Sequence, residues 1–336
     1  MTSHRKLIAI GVLLVVTTMP VHAHHSRVNF LQEVVAFQAT VTRVEWVNPH
    51  VYIYVEALDQ NGVMMEWEVE TQSTPNLIRR GWTPESLRSG DVITIRANAD
   101  KNPEKRLLFG ITFTKEDGTV LPSQGTAGRV VIEDVPSSNS LAGIWETVGF
   151  GAGPRDTAAT HLPLTEKALA ATVGFNVSQH PMVQCIPPTP PGNMGGPYLH
   201  AVEIYDDVVI LNLEYNGVTR TVHMDGREHP NDIERTNQGH SIGWWEGDVL
   251  VIDTVAIADH RWGTGRGVPS GAERHVVERY TLSDDGTMVT IDYVVEDPEY
   301  LTEPISGTIR WQHAPHLEML PFDCNPEIAQ RFVVDS

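Results

Sequence analysis

Residues 239–254, GHSIGWWEGDVLVIDT, contain the pattern that decides the fold. One run rich in β-branched and aromatic residues ends at Trp245, and a second begins at Val249. Between them lie Glu246, Gly247 and Asp248, which are turn residues. Two such runs joined by a short turn are typical of a β-hairpin. The stretch therefore predicts two antiparallel strands.

Two polar residues of this hairpin fall on faces that are otherwise apolar. With a side-chain period of two, Asp253 shares a face with the valines of its strand, and His240 shares a face with Ile242 and Trp244. A carboxylate on an apolar face costs free energy unless it is paired or hydrogen-bonded. We therefore take Asp253 and His240 as the anchor of a candidate site.

The second half of the chain repeats this kind of strand. The pattern predicts strands at 200–205, 208–215, 218–224, 240–245, 249–256, 273–282, 287–296 and 304–313. Turn signals such as Asn216-Gly217 separate several of them. About eight antiparallel strands close a barrel that encloses one small ligand. The stretch GIWE at 143–146, just before the first strand, resembles the start of lipocalin-like barrels, so we predict such a barrel over 141–336.

The first half predicts a smaller all-β domain at 24–121. Three strands, a short helical segment with Thr-Pro starts at Thr74 and Thr83, and two further strands suggest an OB-like five-stranded barrel. Residues 122–140 are rich in Pro, Gly, Ser and Asn and are predicted to be a linker.

Residues 1–23 have the pattern of a secretory signal peptide. A basic start is followed by an apolar run too short for a comfortable membrane span, and by Val21-His22-Ala23 as a small-residue cleavage site. We predict cleavage after Ala23, a periplasmic location and no membrane span. The formal net charge of -19 argues against nucleic acid and anionic lipid as partners. It leaves cations and neutral, apolar small molecules.

The chain has two cysteines, Cys185 and Cys324. In an oxidising compartment two cysteines most simply form one disulfide, and their spacing fits neither a zinc site nor a redox CxxC site. We predict a structural bridge that closes a long loop.

Several motifs resemble those of known protein families. His24-His25-Ser26, the block VTRVEWVNPHVY at 41–52 and Arg79-Arg80-Gly81-Trp82 are similar to a family of exported bacterial proteins of unknown function. The motifs MDGREHP at 224–230, GHSIGWWEGDVLVIDT and HVVERY at 275–280 resemble a second uncharacterised exported module. The resemblance implies a periplasmic two-domain protein and brings no catalytic assignment.

The barrel strands offer a set of residues for acid/base catalysis. A histidine near a carboxylate can act as general acid or base when burial shifts both pKa values towards neutrality. The candidate catalytic residues are His240, Asp253, His275 and Arg279, and the candidate ligand-binding residues are Glu214, His229, Trp244, Tyr293, Trp311 and His313. This hypothesis expects an enclosed cavity with Asp253 facing inward beside a histidine. The same residues would also suit a purely structural network.

A second candidate site lies at the mature N-terminus. Cleavage after Ala23 would give His24 both a free α-amino group and an imidazole, with His25 beside it and His50 as a third ligand. Nitrogen-rich donor sets of this kind suit Cu(II). The terminal histidine resembles the histidine brace of copper-dependent polysaccharide oxygenases, so copper binding is a hypothesis.

Three functions follow from these patterns. The favoured one is a periplasmic protein whose barrel binds a small, largely apolar molecule and carries out isomerase, hydratase or lyase chemistry on it. The alternatives are a protein that binds copper or another divalent metal, and a non-catalytic structural or interaction module. The sequence leaves open which holds, and it leaves the oligomeric state unknown.

Overall fold

The protein consists of two β units that follow one another along the chain, as predicted. The computed structural model describes residues 29–59, 61–124, 134–148, 162–259, 261, 263–265 and 267–331. The signal peptide predicted at 1–23 lies outside the described residues. Each unit has its own apolar core, and the all-β class is confirmed.

The first unit has the strand arrangement of an OB-like barrel. Its strands are β1 (Phe30–Glu45), β2 (Tyr52–Leu58), β3 (Met64–Glu70), β4 (Val92–Asp100), β5 (Leu107–Lys115) and β6 (Val120–Pro122), with helix α1 (Thr74–Ile78) after β3. The sheet order is β3-β2-β1-β4-β5-β6, and a parallel pairing of β3 with β5 closes the first five strands. The short β6 was not predicted. It extends the sheet beyond β5.

The second unit is a closed barrel. Its strands are β7 (Gly143–Thr147), β8 (Leu199–Ile204), β9 (Val208–Leu213), β10 (Val218–His223), β11 (His240–Glu246), β12 (Val249–Val255), β13 (His275–Leu282), β14 (Met288–Glu296) and β15 (Ile305–His313). Helices α2 (Glu166–Thr172) and α3 (Pro326–Ala329) lie outside the sheet. Within the described residues the barrel has nine strands, because the GIWE stretch is itself the strand that joins β15 to β8.

Large side chains occupy the interior of this barrel. Trp145, Trp311, Tyr280 and Tyr293 are fully buried there, together with Arg220. The guanidinium of Arg220 donates to Glu278 Oε2 at 2.5 Å, so the charged pair is neutralised inside the core. Aromatic rings and a buried ion pair therefore take up the space that a lipocalin-like ligand would use.

One seam of the barrel differs from all the others. β10 and β11 pair in parallel, with Val222 opposite Ser241, whereas every other strand pair of the described barrel is antiparallel. Parallel neighbours cannot be joined by a tight turn and need a longer connection. Residues 224–239, which we call the crossover segment, provide it. His229 of this segment lies 3.1 Å from Asp253, on the face of β12 opposite to the core residues Leu250 and Ile252, so the segment crosses the outer surface there.

The C-terminal segment fastens the two units together. It includes Cys324, which forms the predicted disulfide with Cys185 at a Cα–Cα distance of 5.8 Å. The backbone N–H of Asn325 donates to the carbonyl oxygen of Asn48 in the first unit at 3.0 Å. Arg331 pairs with Glu45 at 2.7 Å. Residues 324–331 therefore contact both units. Among the described residues, no helix is long and apolar enough to cross a membrane.

The disulfide should contribute measurably to stability. Because it links residues 139 positions apart, the chain-entropy model gives about 4–5 kcal/mol for its loss. We expect the Cys185→Ser/Cys324→Ser double variant to unfold at a clearly lower urea concentration than the oxidised protein. Equal unfolding midpoints for the two proteins would contradict this.

Candidate functional site

Asp253 lies on the outer face of the barrel. Its neighbours Leu250 and Ile252 on β12 are fully buried in the core, whereas Asp253 is only partly buried. The expectation that Asp253 faces inward is therefore wrong. The period-two alternation of side chains predicts which residues of β12 share a face. Both faces of this strand, however, carry apolar side chains. The pattern alone could not show which face points inward.

His275 of β13 holds the carboxylate of Asp253 from one side. Its Nε2 lies 3.0 Å from Oδ1 and 2.9 Å from Oδ2 of Asp253, and its Nδ1 lies 3.3 Å from Glu296 Oε2. Both ring nitrogens therefore face carboxylates. The hydrogen bond to Asp253, its charge and the contact with Glu296 outweigh partial burial and raise the pKa of His275 to about 9. His275 is protonated at neutral pH.

His229 of the crossover segment holds the same carboxylate from the other side. Its Nε2 lies 3.1 Å from Asp253 Oδ1, and its Nδ1 lies 2.7 Å from Nδ1 of His240. The side chains of Asp253, His229 and His275 are 21%, 20% and 31% exposed, so solvent reaches all three. The structure therefore brings together four predicted residues, which we call the histidine–carboxylate cluster: His229, His240, Asp253 and His275.

Two histidines of the cluster, His240 and His275, differ in protonation state. Burial alone would raise the pKa of Asp253, but the hydrogen bonds and charges of His275 and His229 together lower it, so the carboxylate stays ionised. Partial burial, followed by the nearby His229, His223 and Arg227, lowers the pKa of His240. One histidine is thus stabilised as a cation and another as a neutral imidazole. This is the condition for an acid and a base in one site.

An apolar row crosses the outer surface at the level of Asp253. Asp253 is opposite Ile242 on β11 and Val277 on β13, and Val277 is opposite Val294 on β14. Val294 is 41% exposed, and the other two side chains are partly exposed. Ionisable groups and accessible aliphatic surface are therefore adjacent.

Two predicted residues share this face but do not touch the cluster. Arg279 is opposite Val251, and its Nη2 donates to Glu246 Oε2 at 2.7 Å. Trp244 is 41% exposed, and its indole N–H donates to the other oxygen of Glu246 at 3.0 Å. Both are one row away from Asp253, at the turn of the hairpin.

The remaining ligand-binding candidates lie elsewhere. Tyr293 and Trp311 are packed in the barrel interior. His313 lies at the end of β15, where its Nδ1–H donates to the carbonyl oxygen of Pro136 at 2.8 Å. Glu214 is fully buried between the units, where it pairs with Arg79 of the first unit and accepts from the backbone N–H of Leu320 at 2.9 Å. These contacts hold the fold together and lie apart from the cluster.

Of the three predicted copper ligands, the structure describes only His50. His24 and His25 lie outside the described residues, so copper binding stays a prediction. His50 is largely buried, and its Nδ1 lies 2.7 Å from the carbonyl oxygen of Thr71. Burial lowers the pKa of His50 to about 4, so its imidazole is neutral. Across the described part of the chain, no three His, Cys, Asp or Glu side chains are grouped so as to hold a metal ion.

Two residues of the site were missed from the sequence. Glu296 is opposite His275 across the β13–β14 hairpin. The Asp285-Gly286 turn fixes that register, so Glu296 was within reach of sequence reasoning. His223 stacks on His240 at a ring distance of 5.2 Å. This contact depends on the parallel pairing of β10 with β11, which no local sequence pattern predicts.

Comparisons with known proteins add little to this geometry. A profile described as a family of unknown function (DUF6152) matches residues 12–108. No curated protein matches the chain. One solved structure that is similar is the crystal structure of an abundant heat soluble (SAHS) protein from Ramazzottius varieornatus. It is 11% identical and covers 54% of this chain and 100% of its own. Its TM-score is 0.28, which is too low to support a conclusion about fold or function.

The His275–Asp253 pair should stabilise the fold in a pH-dependent way. The pKa of His275 is raised in the folded protein, so its contribution is complete below about pH 6.5 and is lost as the pH rises through about 9. We expect His275→Gln to lower the free energy of unfolding by about 1–2 kcal/mol at pH 6, after allowance for solvent screening, and by much less at pH 10.

Urea unfolding at the two pH values measures this difference. His316→Gln, at an exposed histidine, is the matched control and should cost little at either pH. A destabilisation by His275→Gln that is the same at pH 6 and pH 10 would contradict the assignment.

Proposed function

We propose that the outer wall of the barrel binds a small, largely apolar molecule and carries out acid/base chemistry on it. The observation that carries the proposal is the ionised carboxylate of Asp253, held between two imidazoles at 2.9–3.1 Å and flanked by accessible aliphatic side chains. We infer that the protein does this outside the cytoplasm, since the sequence predicts export and the chain contains a disulfide.

The apolar row provides the binding surface in this proposal. Ile242 lies on one side of Asp253, and Val277 and Val294 lie on the other, so the strip flanks the cluster. Trp244 presents a further apolar side chain one row away. Burial of aliphatic surface supplies affinity at about 25 cal/mol per Å², and a few polar groups orient the ligand. A molecule lying on the strip would place a polar group beside His240. This puts the binding site outside the barrel, since Trp and Tyr side chains fill the interior.

The two differently tuned histidines supply the chemistry. His240, whose pKa is lowered, is available as a neutral base at neutral pH. His275, protonated up to about pH 9, is a fixed positive charge that keeps Asp253 ionised and in place. Proton transfer by a positioned base typically contributes 10²–10⁴-fold to a rate. A base beside an apolar strip suits isomerisation, hydration or elimination.

A thermal-shift screen of small apolar compounds that carry a carbonyl or hydroxyl group tests the proposal. We expect some compounds to raise the Tm of the native protein at pH 7.5, because a ligand stabilises the state that binds it. Asp253→Asn and Val294→Asp should abolish those shifts, since the first removes the ionised carboxylate and the second places a charge on the apolar strip.

Two matched variants serve as controls. Asp292→Asn changes a carboxylate on the same outer face, one row away, and Val120→Asp changes an exposed valine of the first unit. Both should keep the ligand-induced shifts. A screen without stabilising compounds, or compounds whose shifts survive both site variants, would reject the proposal.

A further inference from the structure

We propose that His229 is a positioning residue that forces His240 to present an unprotonated Nε2 as the base. This deepens the proposed function, and it rests on that function for its consequence in catalysis. We call the hydrogen-bonded chain from Asp253 through His229 to His240 the relay, and no sequence motif predicts it. It follows from the hydrogen-bond partners of three side chains: Asp253, His229 and His240.

The relay begins at the carboxylate. An ionised Asp253 can only accept hydrogen bonds, so Nε2 of His229, 3.1 Å away, must carry its proton and donate it. A neutral imidazole that is protonated on Nε2 has a lone pair on Nδ1. The relay requires His229 to be neutral, and its Nδ1 is then an acceptor. A charged His229 would instead donate from Nδ1 and leave the proton of His240 on Nε2, which is the outcome that the experiment below would detect.

The next step fixes His240. Its Nδ1 lies 2.7 Å from Nδ1 of His229, and two lone pairs cannot face each other at that distance. His240 must therefore carry its proton on Nδ1 and donate it to His229. Its Nε2 is then left with the lone pair. This Nδ1-protonated form is the less favoured tautomer of a free histidine side chain, so the protein has to impose it.

The fold supplies each part of the relay from a different element. Asp253 is on β12, His240 begins β11 and His229 is on the crossover segment. The His229 and His240 rings meet edge to face with centroids 5.0 Å apart. The other ionisable groups around the relay are His223 on β10, Asp225 and Arg227 on the crossover segment, and, beyond the carboxylate, His275 and Glu296. His223 stacks on His240 and makes no hydrogen bond to it among the described contacts.

The relay points to a substrate class. A neutral imidazole nitrogen beside an aliphatic strip suits removal of a proton from a carbon next to a carbonyl group. In that step the C–H bond breaks, the proton passes to Nε2 of His240, and the electron pair moves onto the carbonyl oxygen as an enolate. The new imidazolium keeps its Nδ1–H bond to His229, which stays aligned through its Nε2–H bond to Asp253. In a substrate whose carbon–carbon double bond is conjugated with the enolate, return of the proton to the far carbon of that bond shifts the double bond and completes an isomerisation without an oxidant or reductant.

Nitrogen-15 NMR of the histidine side chains tests the relay without any substrate. In the native protein at pH 7.5 we expect His240 to show a protonated Nδ1 and an unprotonated Nε2. In His229→Phe the acceptor is gone, so His240 should change to the ordinary Nε2-protonated form. His223→Phe replaces the stacked imidazole with another aromatic ring and removes no hydrogen bond to His240, so it should leave the tautomer of His240 unchanged.

The native spectrum alone can overturn the proposal, even if His229→Phe fails to fold. A protonated Nε2 on His240 in the native protein would do so, and so would an unchanged tautomer in a folded His229→Phe variant. The result is independent of the ligand screen. A failed screen with the expected tautomer would reject the proposed function and leave the relay standing, whereas the opposite pair of results would reject only the relay.

Discussion

The parallel seam between β10 and β11 is the constraint on which the candidate site depends. The other strand pairs of the described barrel are antiparallel, and one parallel pair among them requires a long connection between its strands. That connection is the crossover segment, residues 224–239, and it passes over the outer wall. It places His229 against Asp253 and His240, which the strands alone would leave as two separate polar residues on a sheet surface. The crossover segment thereby partly covers Asp253 and His240, which would otherwise be exposed on the strands.

The filled interior explains why chemistry is expected outside the barrel. The core contains aromatic rings and a neutralised ion pair between Arg220 and Glu278, in which Arg220 also donates to Ser241 at 3.0 Å. Such a network is stable only while all its members remain, because removal of one partner leaves a buried charge unpaired. A ligand cavity in the interior would require the loss of members of this network. The outer wall offers polar groups that solvent can reach and that are tuned by partners rather than by deep burial.

The sequence predicted the elements better than their arrangement. The hairpin at 239–254, the all-β class and the Cys185–Cys324 bridge follow from turn residues, period-two alternation and compartment, which are local or compositional properties. Four of the candidate site residues do meet in the structure. The direction in which Asp253 faces was predicted wrongly, because β12 has apolar side chains on both faces. His223 was missed because its contact with His240 arises from a parallel pairing between distant segments.

Methyl NMR during a ligand titration distinguishes binding at the outer wall, as proposed, from binding in the barrel interior. The informative methyl groups belong to Ile242, Val277 and Val294 on the outside, and to Ile252 and Val276 in the interior. With a compound that stabilises the protein, we expect the outer methyl signals to shift as the ligand is added and the inner signals to stay in place. Shifts of the inner methyl signals without the outer ones would place the ligand inside the barrel and rule out the outer wall as the binding surface.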